Sequence, residues 1–172
     1  YIGNHEIAEI TGTEIRFYNI YLEEIEKEMV EIKWDAEAAE KGGYEHFMLK
    51  EIHEQPKAVQ DTIGAYVKDD RISFREAGLD DETLKNLERI YIVACGSAYH
   101  VGMAGKYVIE ELAGIPVEVD LASEFRYRNP LLDPKGLVVI ISQSGETADS
   151  LAALRLAKDR GIRTLAIVNV IG

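Results

Sequence analysis

The chain has 172 residues, of which 47% are apolar, and a net charge of −12. This length holds one domain, or one domain and part of another, and the apolar fraction is enough to build a hydrophobic core. The negative charge argues against binding of nucleic acid or of an anionic membrane surface, because phosphate backbones require a basic face. Any phosphate bound by this chain should therefore be small and held by local groups.

Cysteine usage and apolar patterning predict a cytoplasmic protein. The single cysteine, Cys95, excludes an internal disulfide and fits a reducing compartment. No apolar run reaches the length of a membrane span, and no signal peptide opens the chain. The chain starts at Tyr1 and stops at Gly172, directly after an apolar run, so we expect it to be a piece of a longer protein.

The first twenty residues predict a β-hairpin. Two segments with alternating apolar and polar residues, 5–10 and 14–20, flank the turn Thr11-Gly12-Thr13. An isolated hairpin is only marginally stable in water, so this one is expected to need a further pairing partner. Residues 21–43 are acidic and weakly patterned, which is typical of a connector.

Two helical segments are predicted after the connector. Apolar residues recur at helical spacing from Tyr44 to about Val67, and Pro56 in this stretch predicts either a kink or two shorter helices. A short amphipathic helix is expected at residues 79–88, with Asp80 or Asp81 as its N-cap.

Strands and helices alternate in the remainder of the chain. Strands are expected at Arg89–Ala94, Pro116–Asp120, Leu137–Ser142 and Arg163–Val168. Helices are expected at Ala98–Ala113, Ser123–Tyr127 and Glu146–Arg160, with Gly114 and Gly161 at helix C-caps. This order predicts the α/β class, with a parallel flavodoxin-like sheet flanked by helices. Such sheets bind ligands at the carboxyl ends of their strands, where the strand order reverses.

The strand at 137–141 and the polar turn after it are the main evidence for a binding site. Its five apolar residues, mostly β-branched, predict a strand buried on both faces. Three hydroxyls and an amide follow it, at Ser142, Gln143, Ser144 and Thr147. Free N–H groups at a helix start and the positive end of the helix dipole favour a phosphate or another compact oxyanion. A single cap needs only one hydroxyl, so Ser144 as a cap alone is the weaker interpretation.

A second strand-to-helix turn, Cys95-Gly96-Ser97, follows the strand at 89–94. Gly96 lets the backbone approach a ligand closely, and Ser97 can cap the helix while it donates to an anion. If the two strands are neighbours in the sheet, both turns face one crevice. Cys95 could be a nucleophile, but a cysteine at a strand end is more often a small buried hydrophobic residue.

Other chemistries have weaker support. Ala98 and Val101 occupy the positions of the later glycines in G-x-G-x-x-G, which makes a dinucleotide fold the weaker option. His46 and His53 are seven residues apart with no ligand between them, so we expect no metal and no cofactor. No nucleophile–base pair or acid/base dyad can be assembled, and we assign no catalytic residue.

The turns at 142–147 and 95–97 resemble those of the sugar isomerase (SIS) domain family. The segment Trp34–Ile52 is similar to the interdomain segment of the isomerising glutamine–fructose-6-phosphate aminotransferases. That family transfers ammonia from glutamine to fructose 6-phosphate and gives glucosamine 6-phosphate. The resemblance assigns residues 1–33 to the end of a glutaminase domain and residues 34–88 to the interdomain segment and leading helices. It assigns residues 89–172 to a first SIS domain that is incomplete at its carboxyl end.

The resemblance implies a hexose phosphate ligand. The residues that would hold the phosphate are Ser142, Gln143, Ser144, Thr147 and Ser97, and those that would line the sugar are Cys95 and Gly96. Ala98 departs from the family, which commonly has threonine and serine after the glycine, and it cannot donate a hydroxyl.

The resemblance also implies that the catalytic groups lie outside this chain. In the family, a second SIS domain and a C-terminal tail supply the acid/base groups and the Schiff-base lysine. We therefore expect this chain to be inactive alone and the complete enzyme to be a homodimer. Two alternatives stay open: a non-catalytic SIS module that senses a sugar phosphate, and a chain that folds mainly through self-association.

Overall fold

The computed structural model describes residues 2–28, 40–68 and 70–169. The chain packs as two compact units, Tyr1–Val59 and Gln60–Gly172. In the described part of the chain, no helix combines the length and the apolar character needed to cross a membrane.

The first unit contains a small antiparallel sheet. Its strands, in spatial order, are β1 (Glu6–Ile10), β2 (Ile15–Asn19) and β3 (Glu24–Ile25). The predicted hairpin is confirmed, and its turn is closed by the Thr11 amide, which donates to the Glu14 carbonyl at 2.9 Å. The start of the expected connector is instead a strand, because β3 pairs with β2 and supplies the further partner. Residues 29–39 of that connector, with the expected boundary at 33/34, lie outside the described residues.

Helix α1 (Phe47–Tyr66) runs through Pro56 as one element, so of the two predicted outcomes, a kink or two shorter helices, the second does not occur. Proline has no amide hydrogen and its ring crowds the carbonyl one turn earlier, but nine residues precede Pro56 in this helix and ten follow it, so helical turns flank it on both sides. A two-residue pairing that the sequence did not predict follows, between β4 (Val67–Lys68) and β5 (Arg71–Ile72).

Helix α2 (Asp81–Lys85) is preceded by a turn of 3-10 helix at Arg75–Ala77. The side chain of Asp80 accepts a hydrogen bond from the Thr83 amide at 2.8 Å, which confirms Asp80 as the N-cap.

The second unit is built on a parallel sheet of four strands, as predicted. The strands are β6 (Arg89–Ala94), β7 (Val117–Leu121), β8 (Gly136–Ser142) and β9 (Arg163–Val168), in the order β7-β6-β8-β9. This is the flavodoxin-like order, and it reverses between β6 and β8. β7 begins one residue later than expected, because Pro116 has no amide hydrogen, although its carbonyl accepts from the Ile90 amide at 3.0 Å.

Three helices connect the strands of this sheet. They are α3 (Ser97–Ala113), α4 (Ala122–Tyr127) and α5 (Ala148–Asp159). α5 starts two residues later than expected, because Thr147 has an extended backbone, with a ψ of 119°, and is the N-cap of the helix. Gly114 is the C-cap of α3 with a positive φ, which confirms that prediction. α5 ends one residue earlier than expected, so its C-cap is Arg160, and Gly161 follows the cap with a φ of 70°.

Both faces of the sheet are buried, as the apolar run of β8 predicts. Val138 and Ile140 of β8 face α4 and α5, where Phe125 and Ala153 are fully buried. Leu137 and Val139 face the opposite side, whose core includes Ile90 and Ile92 of β6. α3 covers that side so closely that a Cβ on Gly102 would lie 2.8 Å from Cγ2 of Ile92.

Candidate functional site

The candidate site lies at the carboxyl ends of β6 and β8. The two strands are neighbours, with Ala94 paired to Ile141 at their ends, so the condition for a shared crevice is met. The turn at 95–97 leads from β6 into α3, and the turn at 143–147 leads from β8 into α5. The reversal of strand order is at the same place, which is where parallel sheets of this type bind ligands.

The hydroxyls of the 142–147 turn form a local hydrogen-bond network. Ser142 is only 6% exposed, and its Oγ accepts from the Gly145 amide at 3.1 Å and lies 3.4 Å from Oγ1 of Thr147. Ser144 is half-buried, and its Oγ accepts from the Glu146 amide at 3.2 Å. Ser142 therefore stabilises the bend from inside, and Ser144 lies nearer its surface.

Neither helix at the crevice is capped by a side chain. Thr147 is the N-cap of α5 and makes no side-chain cap hydrogen bond, and Ser144 does not cap this helix. In α3 the N-cap is Gly96 and Ser97 is the first helical residue, so the expectation that Ser97 caps α3 is wrong. The first amides of both helices thus lack a capping hydroxyl, and each helix dipole carries its positive end to the crevice.

Gly96 adopts a backbone conformation that suits glycine. Its φ of 57° is in the left-handed region, and its ψ of −136° takes it out of the left-handed helical well. A Cβ built at this position meets no atom within 4 Å, so open space lies beside this backbone. A ligand can approach the main chain of Gly96 closely.

Cys95 is half-buried at the end of β6, where it packs against the core that contains Tyr91 and Val93. The hydrogen bond at its thiol comes from Ser150 of α5, whose Oγ lies 4.0 Å from Sγ. Ser150 is 2% exposed. This residue was not identified from the sequence, because the only sign of its role there is a hydroxyl three residues after Thr147. A serine hydroxyl does not activate a thiol, so this arrangement does not make Cys95 a nucleophile.

An ion pair lies beside the start of α5. Nη1 of Arg126, on α4, donates to Oδ1 of Asp149, the second residue of α5, at 2.7 Å. The hydrogen bond to Asp149 holds the pKa of Arg126 above its ordinary value. Sequence patterns could not identify this pair, because its members are 23 positions apart on different helices.

Potential metal ligands are scattered in the structure. Within residues 2–28, 40–68 and 70–169, no three His, Cys, Asp or Glu side chains are grouped as a metal site. The two turns at the crevice offer backbone amides, hydroxyls, one thiol and the side-chain amide of Gln143, which suit hydrogen bonding to an anion, and they also carry the exposed carboxylate of Glu146.

Comparison with known families identifies one match to this chain. The SIS domain model matches residues 83–171, which include all seven of the expected site residues. The match begins in α2 and covers the whole parallel sheet.

Curated relatives of the chain are glutamine–fructose-6-phosphate aminotransferases (isomerising). The enzyme of Caldanaerobacter subterraneus subsp. tengcongensis is 54% identical over 173 aligned positions, which are 100% of this chain and 28% of that protein. The enzyme of Mycolicibacterium paratuberculosis is 57% identical over 141 positions, or 82% of this chain and 23% of that protein. The chain thus spans only about a quarter of the length of these relatives.

A solved structure agrees with the sequence relatives. The C-terminal domain of glucosamine-fructose-6-phosphate aminotransferase from Francisella tularensis superimposes with a TM-score of 0.66 at 46% identity. The superposition covers 76% of this chain and 36% of that chain.

Proposed function

This chain belongs to the SIS domain family, and from that premise we propose that the crevice between β6 and β8 binds the phosphate of a hexose 6-phosphate. Ser142, Gln143, Ser144, Thr147 and Ser97 surround the phosphate in this proposal, and Cys95 and Gly96 line the sugar. Fructose 6-phosphate and glucosamine 6-phosphate are the ligands that the relatives' names suggest.

One observation carries the proposal: two helices without side-chain caps start at the same reversal point of the sheet. α3 and α5 follow neighbouring strands, so their first amides lie at one crevice. Amides at a helix start bind phosphate through hydrogen bonds and through the positive end of the dipole. This binding is local, so it is compatible with a net charge of −12.

The residues of the crevice would orient the ligand. The hydroxyls of Ser144 and Thr147 would donate to phosphate oxygens, and the open backbone at Gly96 would let the sugar approach the end of β6. Ser142 would act indirectly, because its hydroxyl holds the bend through Gly145.

In the complete protein, we place this site in an enzyme that makes glucosamine 6-phosphate from fructose 6-phosphate and glutamine. The support is the identity of about half of all positions to such enzymes along the whole chain. The chain alone would be inactive in this proposal, because it spans only about a quarter of the length of these relatives. A cytoplasmic location and a homodimeric complete enzyme belong to this proposal. The location rests on the single cysteine and the apolar patterning, and the homodimer rests on the family resemblance.

The second candidate function is a non-catalytic SIS module that senses a sugar phosphate. Its binding site would be the same, so the crevice does not distinguish the two. The alignment to the aminotransferases extends over 100% of the chain, including the segment 34–52 outside the SIS match. A sensing module has no need of that segment, and the aminotransferase is therefore favoured.

Calorimetric titration of the chain tests the proposal. Fructose 6-phosphate and glucosamine 6-phosphate should bind, and fructose and glucosamine should bind at least about tenfold more weakly, because they lack the charge-assisted hydrogen bonds. Inorganic phosphate serves as the second control and should also bind more weakly than the sugar phosphates. Equal affinity for fructose and fructose 6-phosphate would contradict a phosphate site.

A further inference from the structure

We propose that Arg126 is a positioning residue for phosphate binding, because its positive charge offsets that of a carboxylate at the start of α5. This inference rests on the proposed function. The carboxylate is that of Asp149, which lies in the first turn of the helix whose amides would hold the phosphate. An unpaired carboxylate at this position would repel the bound dianion.

The geometry shows a direct, hydrogen-bonded ion pair between Arg126 and Asp149. The Nη1–Oδ1 distance of 2.7 Å is that of a charge-assisted hydrogen bond. The side chains of Arg126 and Asp149 are 32% and 38% exposed, so water screens the carboxylate only partly. Arg126 also lies over the ring of Tyr127, with its guanidinium carbon 4.7 Å from the ring centroid, which further limits its rotation.

The second carboxylate of the region is in a different situation. Glu146 belongs to the same turn, but it is exposed, so bulk water screens its charge. Asp149 is partly shielded from water and would affect the bound anion more strongly. The arginine is found at the carboxylate where neutralisation has the larger effect.

Asp149 has a reason to be at this position even though it would repel the ligand. An acidic residue in the first turn stabilises a helix through its dipole, and α5 has no side-chain cap of its own. Arg126 therefore lets the helix start keep its acidic residue while the crevice stays open to an anion.

A purely structural role for the pair gives a different expectation. In that case Arg126 and Asp149 would only tether α4 to α5, and loss of either partner would loosen the turn and weaken binding. Charge neutralisation predicts that the two variants differ in their effect on phosphate binding. Arg126→Ala leaves the carboxylate unpaired and weakens binding, whereas Asp149→Asn removes the repulsion and leaves binding unchanged or stronger. The two single variants therefore separate the explanations.

The experiment measures the dissociation constants of inorganic phosphate and of fructose 6-phosphate for the full chain, by amide chemical shifts at low and high salt. Arg126→Ala should raise both constants by about three- to tenfold at low salt, and Arg126→Lys should restore most of the affinity. Asp149→Asn should leave both constants unchanged or lower them. When Asp149→Asn is already present, adding Arg126→Ala should raise the dissociation constants less than it does in the wild type.

Arg155 provides the matched control. It is an exposed arginine on α5, about two turns beyond the start of the helix, and it borders the same surface groove as Arg126. Arg155→Ala removes one positive charge without exposing Asp149, so its effect should be clearly smaller than that of Arg126→Ala.

The outcomes separate this inference from the proposed function. Equal weakening by Arg126→Ala and Asp149→Asn, or equal effects of Arg126→Ala and Arg155→Ala, would overturn the inference and leave the site in place. If the variants change the affinity for inorganic phosphate as expected, but the chain binds fructose 6-phosphate no more tightly than inorganic phosphate, the inference is supported and the proposed function is overturned. Absence of any anion binding to the wild-type turn would overturn both.

Discussion

At the scale of single residues, the serines of the 142–147 turn have different tasks. The Ser142 hydroxyl is buried and accepts from the Gly145 amide, so it holds the bend. The Ser144 oxygen accepts from the Glu146 amide, and its hydroxyl hydrogen is left to donate to a ligand. Removal of the Ser144 hydroxyl should thus affect binding more than folding.

Ser144→Ala should raise the dissociation constant for fructose 6-phosphate by about tenfold or more, because a hydrogen bond to a charged group is lost. The free energy of unfolding should change by less than about 1 kcal/mol, since the side chain is half-exposed. Ser142→Ala is the comparison variant: it should lower the stability by about 1 kcal/mol and weaken binding as well. Calorimetry and urea denaturation measure the two effects, and unchanged affinity in Ser144→Ala would contradict the assignment.

The position of the candidate site residues at the ends of β6 and β8 could be predicted from the sequence, because they follow apolar runs directly. Their partners could not be predicted in this way. Ser150 contacts Cys95 across 55 positions, and Arg126 meets Asp149 only because α4 and α5 pack on the same face. The expected cap at Ser97 was wrong because Gly96 already occupies the cap position with a positive φ.

At the scale of elements, strong periodicity was a reliable guide. β6 and β9 have the predicted boundaries, and half of the residues in each are β-branched. The strands that were missed, β3, β4 and β5, have two residues each, which is too short for any periodic pattern. They form through pairing with neighbours, and pairing is not visible in a local window of sequence.

The contact between α3 and β6 depends on Gly102. Gly102→Ala should destabilise the chain by about 1–2 kcal/mol, because its Cβ would overlap Cγ2 of Ile92 and the clash outweighs the gain in helix propensity. Gly105→Ala is the matched control on the same helix. Its Cβ would lie 4.0 Å from Cδ1 of Ile92, an ordinary contact, so this variant should stabilise by up to about 1 kcal/mol.

Urea denaturation followed by circular dichroism measures both glycine variants. Opposite signs of the two changes are expected. Stabilisation by Gly102→Ala, or equal changes in the two variants, would show that α3 does not pack on β6 as closely as described.

At the scale of the whole molecule, the order of the strands brings together the two turns of the candidate site. The alternation of strands and helices was enough to predict a parallel sheet and to predict that ligands bind at its carboxyl edge. It was not enough to show that β6 and β8 are neighbours, because strand order depends on long-range pairing. The register of Ala94 with Ile141 supplies that fact and brings the two turns together.

The most direct test is to locate the ligand on the molecule. Fructose 6-phosphate is titrated into the isotope-labelled chain, and the shift of every backbone amide is followed. A phosphate site between β6 and β8 predicts that the largest changes fall at residues 142–147, with a second group at Gly96 and Ser97. Shifts confined to other parts of the chain, or none in the 142–147 turn at millimolar ligand, would contradict a phosphate site between β6 and β8.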